Sequence, residues 1–176
     1  MQKIHPVLAW LLLLLLIVHL GMGSVTLLTP VFLSQKLFGW LFLALVCVHA
    51  VLSLLKLLRA GRVRGRLAYA KENRRYWLRV LSGLAIAALA LIHRTLWVIH
   101  TPFGVMMRDF GWPSLLAQLL FVAALTVHVL LNIRPLLLDS AIDPAGRAGR
   151  RMRIVTVALA ALAAAAAVCY FAGVSL

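Results

Sequence analysis

The sequence predicts an all-α membrane protein with five transmembrane helices, and three observations carry that prediction. The 176-residue chain is 64% hydrophobic and has a mean hydropathy of +1.03. Only 12% of its residues are charged, against roughly a quarter in soluble domains. Five runs, residues 7–28, 37–58, 77–99, 113–138 and 154–176, each reach the about 20 apolar residues that one helical crossing requires. Little chain remains outside them, so residues 1–176 read as a single transmembrane domain.

The first run follows one lysine, Lys3, but it is longer than the apolar core of a signal peptide and no small-residue cleavage site follows it. It is expected to be a retained helix. The second, third and fourth runs differ in sequence from the first and from one another, and no internal repeat links them. The fifth contains the Ala-rich stretch 158–167 and is expected to pack by close approach of small residues, on the other helices or on another subunit. The cysteines, Cys47 and Cys169, fall in different runs. They offer neither a disulfide framework nor a Cys-rich metal or cluster site, and without a CxxCH motif any haem would be held non-covalently.

Basic residues orient the spans, because Lys and Arg collect in short cytoplasmic loops. Nine lie between Lys56 and Arg79 and five between Arg134 and Arg153. The segments 29–36 and 101–113 hold one each, Lys36 and Arg108. The two rich loops are therefore expected in the cytoplasm, with the N-terminus inside and the C-terminus outside. The net charge of +14 is mostly this asymmetry, which argues against nucleic-acid binding and for a multi-pass protein of an inner (cytoplasmic) membrane, bacterial in type.

Each of the first four runs carries a histidine near its middle: His19, His49, His93 and His128. Ionisable side chains at membrane depth are costly and point to function. Counted from the run ends at about 1.5 Å per residue, His19 and His93 fall roughly 18 to 24 Å above the inner face, and His49 and His128 roughly 13 to 15 Å above it. In an up-down bundle helices 1 and 3 oppose each other, as do helices 2 and 4. The four residues thus sort into an outer and an inner pair, each placed to hold a disc from both sides, as bis-histidine ligation of two stacked b-type haems requires. The expected fold is a four-helix bundle enclosing two haems, with helix 5 peripheral. Each ligand's second ring nitrogen needs an acceptor, for which the carbonyls one turn back (Leu15, Leu45, Leu89, Ala124) are candidates. A single such histidine could equally bond a neighbouring helix. Metal binding without porphyrin is the main rival, but zinc sites gather four ligands, whereas these split two and two.

Three more residues belong to this reading. Arg94, turned about 100° from His93, could snorkel to the outer interface or pair with a haem propionate. Lys56 is seven residues after His49 on the same helix face, suited to an inner propionate or simply a positive-inside residue. His100 shares the His93 face but sits near the outer end, where an end-of-helix role fits better than ligation.

The stretches HAVLSLLK (49–56), YWLRVLSGLAIAALALIH (76–93, with Trp77 and Gly83 ahead of the histidine), RDFGWP (108–113) and VHVLL (127–131) resemble the diheme cytochrome b membrane-anchor subunits of succinate dehydrogenases and fumarate reductases, the succinate:quinone oxidoreductase family. The resemblance covers most of the chain from the second run onward. It implies five membrane helices and two haem b groups, the distal one on His19 and His93, the proximal one on His49 and His128, with Lys56 and Arg108 on propionates. It also implies menaquinone or another quinone as substrate, and leaves room for a homodimer of the complex. Two features depart from the family. Thr126 stands where proton-moving members carry Glu, and the segment 29–36 lacks an acidic residue. Asp109, the carboxylate predicted on the outer side, is then the candidate for quinol deprotonation.

Dicarboxylate chemistry needs a flavin and iron–sulfur clusters, and this chain has no Gly-rich dinucleotide motif and only two cysteines. Those parts must lie on a flavoprotein and an iron–sulfur subunit, with the basic loop 56–79 as their docking surface or as a purely topogenic charge run. The expected function is electron transfer between membrane quinone and those cytoplasmic partners. Two alternatives remain: a diheme cytochrome b of another quinone-linked complex, and a haem-free metal or proton transporter or membrane assembly protein.

Overall fold

The computed structural model describes residues 4–29, 36–59, 69, 71–101, 104–107 and 110–173. Five helices, each long and apolar enough to cross a membrane, dominate them: α1 (Ile4–Leu28), α2 (Lys36–Arg59), α3 (Arg74–Leu96), α4 (Trp112–Asp139) and α5 (Arg147–Phe171). Leu, Val and Ile side chains are exposed along all of them, the reverse of a soluble bundle and the pattern that a lipid solvent stabilises. The helices start and stop where the polar signals stand, so α5 opens at Arg147, a full two turns before its uncharged stretch, and α3 at Arg74.

The third span stops earlier than its apolar run suggests. Residues 98–101 leave the helix and pair antiparallel with 104–107, Val98 opposite Met107 and Thr101 opposite Gly104, as strands β1 (Val98–Thr101) and β2 (Gly104–Met107). Val98 and Ile99 favour extended backbone, and Pro102 disfavours helix at Thr101. A short hairpin therefore joins α3 to α4 where the sequence suggested only a loop.

Helix α3 packs chiefly on α4, α4 on α5, and α5 on α1, while α1 carries α2. Among the described residues of α2 none is buried. The close contacts of α5 come from Ala163, Ala166 and Ala167, which are almost fully buried. Spaced i, i+3 and i+4, they form one stripe with no side chain beyond Cβ, which lets backbones approach closely. Around Ala167 gather Phe110, Leu115, Trp97 and Tyr170, with the Trp97 ring stacked on Phe110 at 4.5 Å. This aromatic knot ties the end of α3, the start of α4 and the end of α5 together.

At the other end, the turn from α4 to α5 is tightly built. Asp143 Oδ1 accepts the Ala145 N–H at 2.9 Å, and Arg153 donates to the Pro144 carbonyl at 2.9 Å. Gly149 lies so close to that carbonyl that a Cβ there would overlap it. Trp10 Nε1 donates to Ser140 Oγ at 2.9 Å, and Pro6, Lys56 and Asp139 line one cleft of about 710 Å³. The start of α1 and the ends of α2 and α4 thus meet at one end of the molecule, the end that carries the basic segments. Cys47 is exposed and Cys169 half-buried, and they are unbridged.

Candidate functional site

Polar side chains inside an apolar helical array must find partners or remain as costly orphans. The histidines near the middle of α1, α2, α3 and α4 stand on two levels. On the upper level, away from the basic end, the rings of His19 (α1) and His93 (α3) stand with centroids 6.0 Å apart and planes at 78°. Phe38 and Phe42 of α2 flank His19 at 6.2 and 5.6 Å, and Phe121 of α4 flanks His93 at 5.1 Å. Each of α1, α2, α3 and α4 thus contributes an aromatic or imidazole ring to this level.

On the lower level His128 (α4) turns its ring toward α3. Its Nδ1 is 3.1 Å from Ser82 Oγ, and the hydroxyl itself donates to the Arg79 carbonyl at 3.1 Å. Beside it Gly83 makes the approach possible: a Cβ at Gly83 would stand 3.4 Å from His128 Cε1 and 3.6 Å from Nδ1. Asn132 donates to the His128 carbonyl at 2.7 Å, and the Thr126 hydroxyl to that of Val122 at 2.7 Å.

The levels are set by helix geometry. Ser82 and His93 are eleven residues apart on α3, three turns plus about 20°, so they share one face and lie roughly 16 Å apart along the axis. On α2, His49 is seven residues beyond Phe42 and eleven beyond Phe38, roughly 10 to 16 Å below the rings that flank His19. His49 and His128 therefore occupy the same lower level. The separation of the levels is wider than a count from the ends of the apolar runs implies, because α1 and α3 begin before those runs do.

One expectation about the partners needs correction. The second nitrogens of His93 and His128 do not turn back to Leu89 and Ala124. His93 Nδ1 meets Gln118 Oε1 of α4 at 2.8 Å, with Trp97 Nε1 also 3.0 Å away, and His128 meets Ser82. Both rings face across a helix interface instead of along their own helix, and side chains of the neighbour replace the carbonyls. Among the described residues no ring contact is seen between His49 and His128. The ring beside His49 belongs to His5, at 4.9 Å, and His5 Nε2 lies 3.3 Å from Ser53 Oγ of α2. His49 Nδ1 is buried without a hydrogen-bond partner.

Sequence reasoning missed His5, which precedes the first apolar run and so carried no depth signal. It also missed Gln118 and Ser82. Gln118 had a usable signal, as a lone amide in the apolar run LLAQLLFVAAL, and Ser82 lies on the His93 face.

The other candidates scatter. Arg94 lies with its guanidinium 3.7 Å from the centre of the Trp40 ring, joining α3 to α2 by a cation–π contact. Lys56 lines the cleft at the basic end together with Asp139 and Trp10. The backbone of His100 is part of β1. Arg108 and Asp109 lie outside the described residues.

Chemically, two opposed imidazoles can ligate one metal from both sides: two bonds of about 2 Å put the ring centroids roughly 6 Å apart. Among the described residues no three His, Cys, Asp or Glu side chains come together. The remaining positions around such a metal would have to come from outside the described residues. No protein-family model matches the sequence, and no curated protein or solved structure matches it either.

Proposed function

We propose that this chain is a diheme cytochrome b that passes electrons between a membrane quinone and soluble redox partners docked at its basic end. The observation that carries the reading is the His19–His93 pair, 6.0 Å between centroids, with a second histidine level roughly 16 Å below it along α3. The donor set fits a porphyrin iron. The upper level offers two imidazoles and the lower level those of His128 and of His49 beside His5, and a macrocycle would supply the other four ligands that a bare ion would lack. The aromatic walls of the upper level, Phe38, Phe42 and Phe121, suit a flat apolar ring. On the lower level Gly83 lets α3 lie close against the His128 ring, and the orphaned Nδ1 of His49 marks a buried imidazole whose surroundings are incomplete.

Bound in this way, haem supplies a one-electron iron couple at each level. The chain's own residues do the rest. His19 and His93 would hold the upper group, His49 and His128 the lower one. Ser82 accepts from His128 Nδ1–H and so leaves the Nε2 lone pair available for ligation. Apolar helix faces keep water from both levels. Lys56 and Arg94 are the described cations available to propionates; Arg94 can stack on Trp40 through its face and still offer its N–H edge. Arg108 keeps the propionate role that the family resemblance implies for it, and Asp109, the carboxylate expected on the outer side, stays the candidate for quinol deprotonation.

The soluble partners we propose are an iron–sulfur protein and a flavoprotein, as in the succinate dehydrogenases and fumarate reductases that the sequence resembles. The sequence between α2 and α3 supports this, since it is rich in Lys and Arg, as a docking segment for such partners would be. The test is a reduced-minus-oxidised optical spectrum of the purified chain. A b-type band with two haems per chain is expected, reduced to about one in His93→Ala. Absence of the band, or full haem retention in that variant, refutes the assignment; copurification identifies the soluble partners.

A further inference from the structure

On the basis of the haem reading above, we infer that Gln118 is a positioning residue that selects the ligating tautomer of His93, and that Trp97 competes with it for the same nitrogen. Gln118 is buried, with 8% of its surface exposed, and a buried amide in apolar surroundings is stable only when it is hydrogen-bonded. Its Oε1 lies 2.8 Å from His93 Nδ1. Trp97 Nε1, from the residue that ends α3, lies 3.0 Å from the same atom.

These two bonds exclude each other. An indole nitrogen only donates, so the Trp97 bond requires an Nδ1 without hydrogen and leaves the hydrogen on Nε2. The Gln118 bond, with Oε1 accepting, requires Nδ1–H and leaves the Nε2 lone pair open. Only the second tautomer can ligate through Nε2. Trp97 cannot simply move aside, because its ring is stacked on Phe110 at 4.5 Å and packed in the aromatic knot. The lower level has no such conflict: the Ser82 hydroxyl donates to Arg79 and accepts from His128, and no second donor approaches that Nδ1 among the described residues. Gln118 is therefore the side chain on which ligation by His93 depends, and the upper level is the one whose ligation a single hydrogen-bond acceptor can switch.

The experiment reads the tautomer and the haem separately. In protein prepared without haem and labelled with 15N-histidine, the His93 resonances, assigned by their loss in His93→Ala, should report Nδ1–H in the native chain and Nε2–H in Gln118→Leu. In haem-loaded protein Gln118→Leu should hold the upper haem about 10- to 100-fold more weakly, the usual effect of removing a second partner of a ligating histidine. Adding Trp97→Phe to that variant removes the competitor and should restore Nδ1–H and most of the haem, which a merely structural role for Gln118 would not predict. Gln118→Glu keeps an acceptor, should retain both haems and should shift the upper midpoint potential downward. An unchanged tautomer in Gln118→Leu, or an unchanged potential in Gln118→Glu, overturns the inference. If the native chain binds no haem while its His93 tautomer still follows Gln118, the haem reading fails and the Gln118–His93 relationship stands.

Discussion

Ser82 Oγ stands 3.1 Å from His128 Nδ1 and 3.1 Å from the Arg79 carbonyl, and one direction of hydrogen bonding satisfies both. The carbonyl can only accept, so the hydroxyl donates to it and accepts from the imidazole. Ser82→Ala removes that acceptor and leaves a buried N–H, which costs about 1 to 3 kcal/mol. The expected outcome is a chain that still folds but holds its lower haem more weakly, by about 10- to 100-fold, with the upper haem intact. Redox titration resolves the two components. Equal loss of both would show that Ser82 supports the fold and not His128.

Gly83 tests the same contact sterically. A Cβ at 3.4 Å from His128 Cε1 is tight, and the ring can yield by a few tenths of an ångström. Gly83→Ala should therefore leave two haems and shift only the lower midpoint potential. Gly83→Leu has no such margin, because overpacking a filled site forces side chains off their rotamers at about 1 to 3 kcal/mol. It should displace the His128 ring and remove about one haem per chain, measured by pyridine haemochrome. Two haems in Gly83→Leu would mean that His128 is not a ligand.

The five spans were legible in the sequence because lipid imposes a simple rule: a span must be long, apolar and helical; the place of α5, which packs between α4 and α1 instead of lying outside a bundle of the first four helices, was not. Position along a helix also carried the histidines, since His19 and His93 meet and His49 and His128 share a level. What was not legible depends on rotation about each helix axis and on neighbours. The carbonyls behind His93 and His128 are available in any helix, but Gln118 and Ser82 are chosen by how α3 and α4 face each other. His5 comes beside His49 only through the pairing of α1 with α2. The hairpin after Leu96 was hidden because Val98 and Ile99 are as apolar as a continuing helix would be, and only Pro102 signalled a change. Arg94 could be placed near His93, but its partner Trp40 is on another helix.

That contact carries its own prediction. No described residue of α2 is buried as a whole, and Arg94 over Trp40 at 3.7 Å ties it to α3. A cation–π pair is worth about 0.5 to 2 kcal/mol, more where it is desolvated. Trp40→Leu should lower the thermal midpoint in mild detergent by that order, and Trp40→Phe by less. Arg94→Leu should match Trp40→Leu, and the double variant should be no worse than either, since both remove one interaction. Additive losses would show that the two side chains act separately.

The alanine stripe of α5 offers the sharpest separation of packing from composition. Ala163, Ala166 and Ala167 are buried, whereas Ala165, in the same run, is exposed. Leucine is more apolar than alanine, so if α5 were held only by its affinity for lipid, Ala→Leu would be harmless or favourable at each position. At Ala167, fully buried against Phe110 and Leu115, the added side chain has no space. It must push α5 from α4, at a cost of about 1 to 3 kcal/mol, and loosen the aromatic knot that holds Trp97. Ala167→Leu should therefore lower the thermal midpoint while Ala165→Leu leaves it unchanged or raises it. Because Trp97 adjoins His93, the upper haem midpoint should shift in Ala167→Leu and stay fixed in Ala165→Leu. Equal behaviour of the two variants would mean that α5 does not dock on α4 through this stripe.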